Sequence, residues 1–374
     1  MSMIEKIIRS TKYRWHNYWA LKRDLRVNRN ILVFESDDWG SIRVPSRQAY
    51  DALIAEGYAM DKRPFERYDC LESDDDIKVL VELLLRYTDS KGKHPVITLN
   101  YLLTNPDFFR IQNSKFKDYS FELVQETYLR YLDSCNVISL VKDGIGKGVF
   151  FPQCHGREHF NVPQWMSSLQ SGDKDVLAAF KQGMCGIFPK DNPSKGNQYM
   201  VALKSYDSTS QQFICNAVRQ SLELFEKLWG YKSVSFIAPC YTWNEHVEKE
   251  ISDFGVRLIQ SSRIQRLSDS PALKFRSIGE RNKFGQVYSI RNCTFEPSLY
   301  GATNSVDSCM NEIRRAFFHG RPAVVSIHRI NFVSGICKDN RDHTLLLLDE
   351  LLKKVMFEYP DVEFMNSSEL LSVL

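Results

Sequence analysis

Two adjacent carboxylates, Asp37 and Asp38, come directly after an apolar run near the start of the chain. The run over residues 31–34 predicts a buried strand, so the pair should stand at the end of that strand. Neighbouring carboxylates repel each other and raise each other's proton affinity, unless a cation neutralises them or a proton is being transferred. The pair therefore predicts a functional site, and other parts of the chain should supply its partners.

Two histidines four residues apart, His155 and His159, follow a second apolar strand pattern over residues 148–153. Imidazoles at this spacing can face one metal ion, on a helix or in a turn after a strand, and a carboxylate from elsewhere would complete a three-ligand site. Asp37 or Asp38 is the obvious donor. By itself the H-x-x-x-H spacing is more typical of two ordinary histidines, so it is the Asp pair that favours a metal site.

Two later strand patterns also run into polar residues. Residues 233–238 precede a turn that contains Cys240 and Tyr241, whose backbone N–H groups could face an oxyanion. Residues 322–327 lead directly to His328. The functional residues of barrel enzymes cluster at the carboxyl ends of the strands, so these positions reinforce one another.

The elements that must position these residues are short apolar strands that alternate with amphipathic helices, as in βα units around a parallel sheet. The clearest helices cover 211–229, which ends at Gly230, and about 342–357. The stretches 163–210 and 262–286 are polar and interrupted by Gly and Pro, so they predict long loop insertions. The predicted strands cover residues 30–35, 95–100, 148–153, 233–238, 256–260, 287–291, 322–327 and 362–365. About eight strands in one chain favour an α/β fold of the (β/α) barrel type over two open sheets.

The composition indicates a globular protein and restricts its partners. Hydrophobic residues make up 43% of the 374 residues, which is ample for a packed core. The net charge of +3 comes from 49 basic and 46 acidic side chains, a balance that argues against a nucleic-acid-binding surface. Nine scattered cysteines, no secretory leader and no apolar run of about 18 residues predict reduced thiols, a cytoplasmic location and no membrane span.

The beginning of the chain differs from the remainder. Residues 5–26 predict a basic helix that is rich in aromatic residues, so we divide the chain into a helical segment over 1–29 and a barrel over 30–374. In the simpler interpretation, the aromatic side of this helix packs against the barrel. The alternative is peripheral contact with a membrane surface, because lysine and arginine side chains are attracted to anionic headgroups.

The order of these motifs resembles that of the NodB-type polysaccharide deacetylases of carbohydrate esterase family 4. The resemblance covers about residues 30–370 and rests on the Asp pair, the H-x-x-x-H spacing, a strand followed by Pro239, and a late strand that ends in His328. It implies a distorted (β/α) barrel of seven or eight parallel strands that binds one divalent metal ion, often zinc. The implied roles are catalytic base for Asp37, catalytic acid for His328, and metal ligands for Asp38, His155 and His159.

The implied reaction is metal-dependent hydrolysis that removes an N-acetyl or similar N-acyl group from a sugar. Asp37 would take a proton from water, and His328 would protonate the departing amine. A backbone N–H of the turn would hold the oxyanion, and aromatic rings could stack on the sugar. The residues in these last two groups are Trp39, Cys240, Tyr241 and Trp243. The expected substrate is an N-acylated carbohydrate inside the cell, and a lipid-linked sugar is one possible form of it.

The third motif of the family departs from its usual form in this chain. The family usually has an Arg two residues before the Pro and an aromatic residue just after it, whereas Ile237 and Cys240 stand here and Tyr241 comes one position late. The Arg that would tune the base is therefore missing from its place. Arg291, at the end of a predicted strand, or Arg157 could substitute for it.

The fourth, Asp-rich motif of the family has no clear copy, and residues 291–296 are its positional candidate. Two other functions stay open. A catalytically inactive barrel that binds carbohydrate or glycolipid would explain the missing Arg. The residues from His155 to His159 also spell H-x-x-E-H, a motif of zinc metallopeptidases in which both histidines lie on a helix and Glu158 would activate water. Gly156 inside the motif disfavours that helix.

Overall fold

The architecture is taken from a computed structural model that describes residues 14–132, 136–191, 198–301 and 305–374. Its strands are β1 (Ile31–Trp39), β2 (Ile97–Leu102), β3 (Thr104–Pro106), β4 (Phe121–Leu123), β5 (Phe150–Gly156), β6 (Ser235–Ile237), β7 (Leu258–Ser261), β8 (Ile264–Arg266), β9 (Leu273–Phe275), β10 (Val287–Ile290), β11 (Cys293–Thr294), β12 (Ala323–His328) and β13 (Glu363–Phe364). Each predicted strand has a counterpart in this set. The apolar, β-branched runs form these strands because they are buried on both faces of the sheet.

The main sheet is parallel and curls on itself. Its strand order is β10-β7-β6-β5-β2-β1-β12-β11, and β13 pairs with β1. The two ends of this order, β10 and β11, are consecutive in the chain and are separated only by Arg291 and Asn292. The Arg291 N–H donates to the Ser261 carbonyl (2.8 Å), and the Asn292 N–H donates to the Val324 carbonyl (3.1 Å). The ends of the sheet thus meet at Arg291, and the predicted distorted (β/α) barrel is confirmed.

Helices surround the sheet. They are α1 (14–22), α2 (Arg47–Ala55), α3 (Pro64–Tyr68), α4 (Asp74–Leu84), α5 (Phe108–Asn113), α6 (Val124–Tyr131), α7 (Val137–Gly146), α8 (Val162–Gln170), α9 (Lys174–Lys181), α10 (Ser208–Trp229), α11 (Glu245–Asp253), α12 (Pro297–Tyr300), α13 (Ser305–Phe318), α14 (Lys338–Glu358) and α15 (Ser367–Leu371). The two clearest predicted helices are confirmed as α10 and α14. The Asp207 side chain caps α10, and Gly230 ends it with a φ of +80°. Among these helices, none combines the length and the apolar character that a bilayer crossing requires.

The two predicted loop insertions contain more regular structure than expected. Within 163–210 the chain forms most of α8, then α9 and the beginning of α10, and within 262–286 it forms the antiparallel hairpin of β8 and β9. Polar residues dominate both stretches because these elements bury only one side, which weakens the apolar pattern from which helices and strands are predicted.

The described part of the amino-terminal segment lies on the barrel, but its aromatic rings do not. Residues 5–13 of the predicted 5–26 helix lie outside the described residues. The carboxylate of Asp24 is buried and pairs with Arg263 and Arg321, and the Leu25 N–H donates to the Ile278 carbonyl (2.9 Å). By contrast, the rings on α1 at positions 15, 18 and 19 are exposed. The interpretation that packs the aromatic side of this helix against the barrel is therefore wrong for these residues.

Candidate metal and catalytic site

The carboxyl ends of four strands bring the predicted site residues to one mouth of the barrel. A pocket of about 470 Å³ opens there. Predicted residues that line it are Asp37, Asp38, His155, His159, Cys240, Tyr241 and His328. The Cα partners in the β1–β12 pairing include Asp37 and His328, so these two residues stand side by side. Parallel strands end at the same edge of a sheet, which is why residues so distant in sequence meet here.

A bulge in β1 allows both adjacent carboxylates to face the pocket. Side chains alternate along a regular strand, so Asp37 and Asp38 would otherwise point to opposite faces. Asp38 has a φ of +74°, and the β1–β2 register shifts between residues 36 and 39. Gly40 continues the bulge with a φ of +81°, and a Cβ at this position would come within 2.7 Å of the Leu102 carbonyl oxygen. The local sequence thus requires glycine where the strand turns.

Asp38, His155 and His159 form a cluster of metal-ligand type. The Asp38 Oδ1 atom lies 3.5 Å from His155 Nε2 and 3.3 Å from His159 Nε2. One ligand atom from each residue lies within 4.8 Å of the others. Within the described part of the chain, Asp38 Oδ1, His155 Nε2 and His159 Nδ1 are buried and accept or donate no hydrogen bond. Buried polar atoms without partners are costly, and two of these, Asp38 Oδ1 and His155 Nε2, face each other, so they indicate the place of a cation.

The surroundings of the cluster prepare its side chains to bind a metal. The His155 Nδ1 atom lies 2.9 Å from the Ile237 carbonyl oxygen, which fixes the ring and leaves Nε2 directed at Asp38. Burial lowers the pKa of His159 to about 4, so its ring is neutral near pH 7. Burial opposes ionisation of Asp38, but His159, His155, His328 and Arg43 hold the pKa of its carboxyl well below the usual value. One carboxylate and two imidazoles are a ligand set that fits zinc or another divalent transition metal.

Asp37 is held by Arg291, which lies where the two ends of the main sheet meet. The Arg291 guanidinium donates from Nη1 to Asp37 Oδ2 (2.6 Å) and from Nη2 to Asp37 Oδ1 (2.7 Å), and Asn100 Nδ2 donates to Oδ1 (2.8 Å). Burial of Asp37 is outweighed by this arginine, which lowers the pKa of the carboxyl to about 2. Of the two substitutes named for the missing motif arginine, Arg291 makes the contact. Arg157 instead donates to Glu158 (2.7 Å).

Arg291 is itself fixed on its other side. Its Nε donates to Glu35 Oε2 (2.8 Å), and the Ser367 hydroxyl donates to Glu35 Oε1 (2.9 Å). Glu35 and Asp37 are two residues apart in β1 and point the same way, so one guanidinium bridges both carboxylates. The position of the guanidinium is therefore determined by strand geometry and does not depend on a bound ligand.

His328 is paired with a carboxylate that stands where the fourth motif was expected. Its Nδ1 lies 2.5 Å from Glu296 Oε1, and its Nε2 lies 3.9 Å from Asp37 Oδ2. Burial would lower the pKa of His328, but the Glu296 carboxylate, Asp38 and Asp37 together raise it to about 10. Asn331 Nδ2 donates to the second oxygen of Glu296 (2.7 Å). This imidazole is thus protonated at neutral pH, as a general acid must be.

The turn after β6 is strained, and one of its two candidate oxyanion donors is already used. Cys240 and Tyr241 have φ values of +54° and +52°, which are uncommon for residues with side chains. The Tyr241 N–H donates to the Ala238 carbonyl (3.0 Å), which leaves the Cys240 N–H as the candidate. The Tyr241 hydroxyl lies 3.4 Å from Arg291 Nη1.

Two of the aromatic residues proposed to stack on a sugar are parts of the core. Trp39 is fully buried, donates from Nε1 to the Ser36 hydroxyl (2.9 Å) and packs against Tyr101. Trp243 is also buried and donates to Glu248 (2.9 Å). These two predictions are wrong. The bulge at Asp38 turns the next side chain, Trp39, away from the mouth of the barrel, and Trp243 stacks on the buried Tyr288.

The H-x-x-E-H interpretation does not fit the local structure. His155 lies within β5, which ends at Gly156, and residues 157–161 form an irregular turn before α8 begins at Val162. Glu158 accepts hydrogen bonds from Arg157 Nε (2.7 Å) and the Tyr119 hydroxyl (2.8 Å). It is therefore held by its own partners, and the helix that the peptidase motif requires is not formed.

Three residues in or behind the pocket were not assigned a role from the sequence. They are Glu35, Arg43 and Asn100. Glu35 and Asn100 each interrupt an apolar strand pattern, and a polar residue within such a run is the available signal. Arg43 lies in a loop without a pattern, so only the fold reveals it, and Glu296 was included only as part of the 291–296 candidate stretch.

Comparison with known proteins places polysaccharide deacetylases among the similar structures. No protein-family model matches the sequence, and neither does any curated protein. A variant of the peptidoglycan deacetylase PdaC from Bacillus subtilis is 11% identical, with a TM-score of 0.36 over 80% of this chain and 85% of that one. A CE4 family pseudoenzyme from Bacillus anthracis is 12% identical, with a TM-score of 0.35 over 79% of this chain and 60% of that one. The PuuE allantoinase is 8% identical, with a TM-score of 0.45 over 93% of both chains.

Proposed function

We propose that this protein is a metal-dependent hydrolase that removes an N-acetyl or similar N-acyl group from a sugar. The observation that carries the proposal is the convergence of ligand atoms from Asp38, His155 and His159, beside a carboxylate and a protonated imidazole. Two of these atoms, Asp38 Oδ1 and His155 Nε2, are buried without hydrogen-bond partners in the described part of the chain. A divalent ion held there, zinc in the first instance, would polarise the acyl carbonyl and lower the pKa of a water molecule.

The residues beside the cluster have the protonation states that amide hydrolysis needs. Asp37 is ionised because of Arg291, so it can take the proton of the attacking water. His328 carries the proton that the leaving amine must receive, because an amine is a poor leaving group until it is protonated. The Cys240 N–H is the backbone donor proposed for the developing oxyanion. Asp37 and His328 therefore act as base and acid from neighbouring strands.

The pocket is also suited to a sugar that carries a phosphate. Arg43 and Arg63 line it, and the Arg43 guanidinium lies 4.8 Å from the Phe65 ring centroid. Guanidinium groups recognise phosphate oxygens, so we propose phosphorylated, nucleotide-linked or lipid-linked N-acyl sugars as the substrate class. A cytoplasmic location belongs to the same proposal, and all the cysteines that the structure describes are free.

The contacts of Arg291 weaken the alternative that this protein is a catalytically inactive barrel that binds carbohydrate. That alternative rested on the missing arginine of the third motif, and Arg291 makes the expected contact with the base from another strand. We therefore place the hydrolase ahead of the binder.

Acyl release from a panel of N-acylated sugars, with and without phosphate, tests the proposal directly. Zinc-loaded wild-type protein should release acetate or formate, whereas His155→Ala should lose both the metal and the activity. His343→Ala, which removes an exposed histidine on α14, is the matched control and should keep both. If wild-type protein holds one equivalent of metal and releases acid from none of the sugars, the binder is favoured and the hydrolase is wrong.

A further inference from the structure

A second pocket lies between α1 and α13, and its lining is strongly basic. Its volume is about 490 Å³. The basic residues that line it, besides Arg291, are Lys22, Arg26, Arg263, Arg315, His319 and Arg321, and Glu312 is the acidic residue among the lining. Arg291 is neutralised on the inner side of the barrel wall by Glu35 and Asp37. The remaining cations therefore determine the charge of this pocket.

The carboxylates near the pocket do not balance these cations. The buried Asp24 is shared by Arg263, at 2.6 Å, and Arg321, at 3.1 Å, so one negative charge serves two guanidinium groups. The Arg321 Nε atom is the one that faces Asp24 Oδ2, and Arg321 Nη2 donates to the Leu21 carbonyl (2.9 Å). Glu312 accepts a hydrogen bond from the Thr294 N–H (2.7 Å). Five lysine and arginine side chains, Arg291 apart, thus face two carboxylates, and the pocket carries an excess of positive charge.

The outer cations extend this charge to the surface. Lys22, Arg26 and Arg315 are exposed and form no ion pair within 4 Å among the residues that the structure describes. Clustered cations of one sign repel one another, so an anion that binds between them relieves that repulsion. A phosphate group is the anion whose oxygens best match several guanidinium donors.

Aromatic rings are exposed on both sides of the basic pocket. On α1, the exposed fractions are 61% for Trp15, 51% for Tyr18 and 46% for Trp19, and Tyr18 also lines the pocket. On α13, Phe318 is 85% exposed and its ring lies 5.2 Å from that of His319. Tryptophan and tyrosine rings beside lysine and arginine are the composition that favours the headgroup layer of a membrane.

We propose that the pocket between α1 and α13 binds the phosphate of an anionic phospholipid, and that the flanking rings enter the headgroup layer. Charge complementarity selects the lipid class, because a neutral headgroup would leave the excess of positive charge uncompensated. The barrel would then dock on an anionic membrane through this face. The proposal is independent of the hydrolase activity, since the residues it uses, apart from Arg291, are separate from those at the barrel mouth.

Vesicle co-sedimentation at low salt tests this docking. Full-length protein should bind vesicles made of equal parts phosphatidylglycerol and phosphatidylcholine, and it should ignore vesicles of phosphatidylcholine alone. Arg26→Gln combined with Arg315→Gln should lower the partition coefficient by about 30-fold, since each basic side chain near an anionic surface contributes about fivefold. Lys142→Gln combined with Lys227→Gln removes the same charge from exposed sites on α7 and α10 and should bind as the wild type does.

A fluorescence measurement locates the contact and separates lipid from soluble phosphate. Brominated lipids should quench tryptophan emission of the wild type, and Trp15→Phe combined with Trp19→Phe should remove that quenching. The proposal is wrong if wild-type protein ignores the anionic vesicles, if both charge variants lose binding equally, or if the Arg26, Arg315 variant binds normally. It is also wrong if glycerol 3-phosphate binds by calorimetry while anionic vesicles do not, because the site then serves a soluble compound.

Discussion

The two sides of the pocket at the barrel mouth differ in how their polar atoms are satisfied. On one side, Asp38 Oδ1 and ring nitrogens of His155 and His159 are buried without hydrogen-bond partners among the described residues. On the other side, Asp37 is paired with Arg291 and the imidazole at the end of β12 is paired with a glutamate. The chain pairs the polar atoms where we propose proton transfer, whereas it leaves ligand-type atoms without hydrogen bonds where we propose a cation, with Arg43 3.9 Å from the other oxygen of Asp38. Adjacent residues of one sequence motif can therefore have opposite electrostatic requirements.

The largest expected effect separates the two members of the Asp pair. Asp38→Asn should lose the metal, and all acyl release with it, because a neutral amide is a poor ligand for a divalent ion. Asp37→Asn should keep the metal but lower turnover by about 10²–10⁴-fold, as is usual when a general base is removed. Metal analysis of both variants beside acyl-release assays checks this. Equal metal loss in the two variants would contradict the division of roles.

Replacement of Arg291 should damage both stability and the base. Arg291→Met leaves the carboxylates of Glu35 and Asp37 buried without their cation, so the free energy of unfolding should fall by about 3–5 kcal/mol. The depressed pKa of Asp37 stabilises the wild type above the pKa of an unfolded Asp, and this contribution is lost as the pH falls through about 2. In the variant that pKa rises, so the acidic limb of kcat/KM should move to higher pH.

Arg157→Met is the matched control for this change. It removes another buried guanidinium, one that pairs with Glu158, so it should also destabilise the fold. Its acidic limb should stay where the wild-type limb lies. If both variants move the limb equally, the shift reports loss of stability and not the contact with Asp37.

A smaller effect is expected on the alkaline side from Glu296→Gln. Glu296 and the Asp pair face His328 and raise its pKa to about 10, so the protonated ring stabilises the fold below its unfolded pKa and loses that contribution as the pH rises through about 10. Without the carboxylate the pKa should fall, and the alkaline limb of kcat/KM should move toward neutral pH. A limb that stays in place would show that another group is the acid.

The smallest effect on turnover is expected at Glu158. Glu158→Gln should leave acyl release per folded molecule unchanged, because this side chain is held by Arg157 and Tyr119 and is not part of the metal cluster. The free energy of unfolding should fall by about 1–3 kcal/mol, since a charge-assisted hydrogen bond becomes a neutral one. Thermal unfolding measured beside acyl release checks both parts. A large loss of turnover would revive the peptidase interpretation.

The sequence was most informative where a local pattern and the chemistry coincide. The strands, the helices α10 and α14, the Asp pair and the spacing of the two histidines could all be read from it, because each depends on residues close together in the chain. Arg291 could be named only as one of two candidates and Glu296 only as part of the 291–296 stretch, since their partners lie some 250 and 30 residues away and only closure of the barrel brings them together. Trp39 was misjudged because the alternation of side chains along β1 is broken by a bulge that no composition reveals.

The exposed rings of α1 also could not be predicted from the sequence. An amphipathic pattern shows that a helix has two faces, but it does not show which face meets the barrel. The buried pairing of Asp24 with two arginines determines that choice here, and it leaves the aromatic face outward.

Anomalous diffraction from crystals of the zinc-loaded protein, recorded at the zinc absorption edge, tests the central claim most directly. The account predicts one strong peak between Asp38 Oδ1, His155 Nε2 and the ring of His159, at about 2.0–2.2 Å from the ligand atoms. It also predicts that Asp37 stays paired with Arg291 and does not bind the ion. A peak that is absent from this cluster, or that lies at a different group of side chains, would contradict the account.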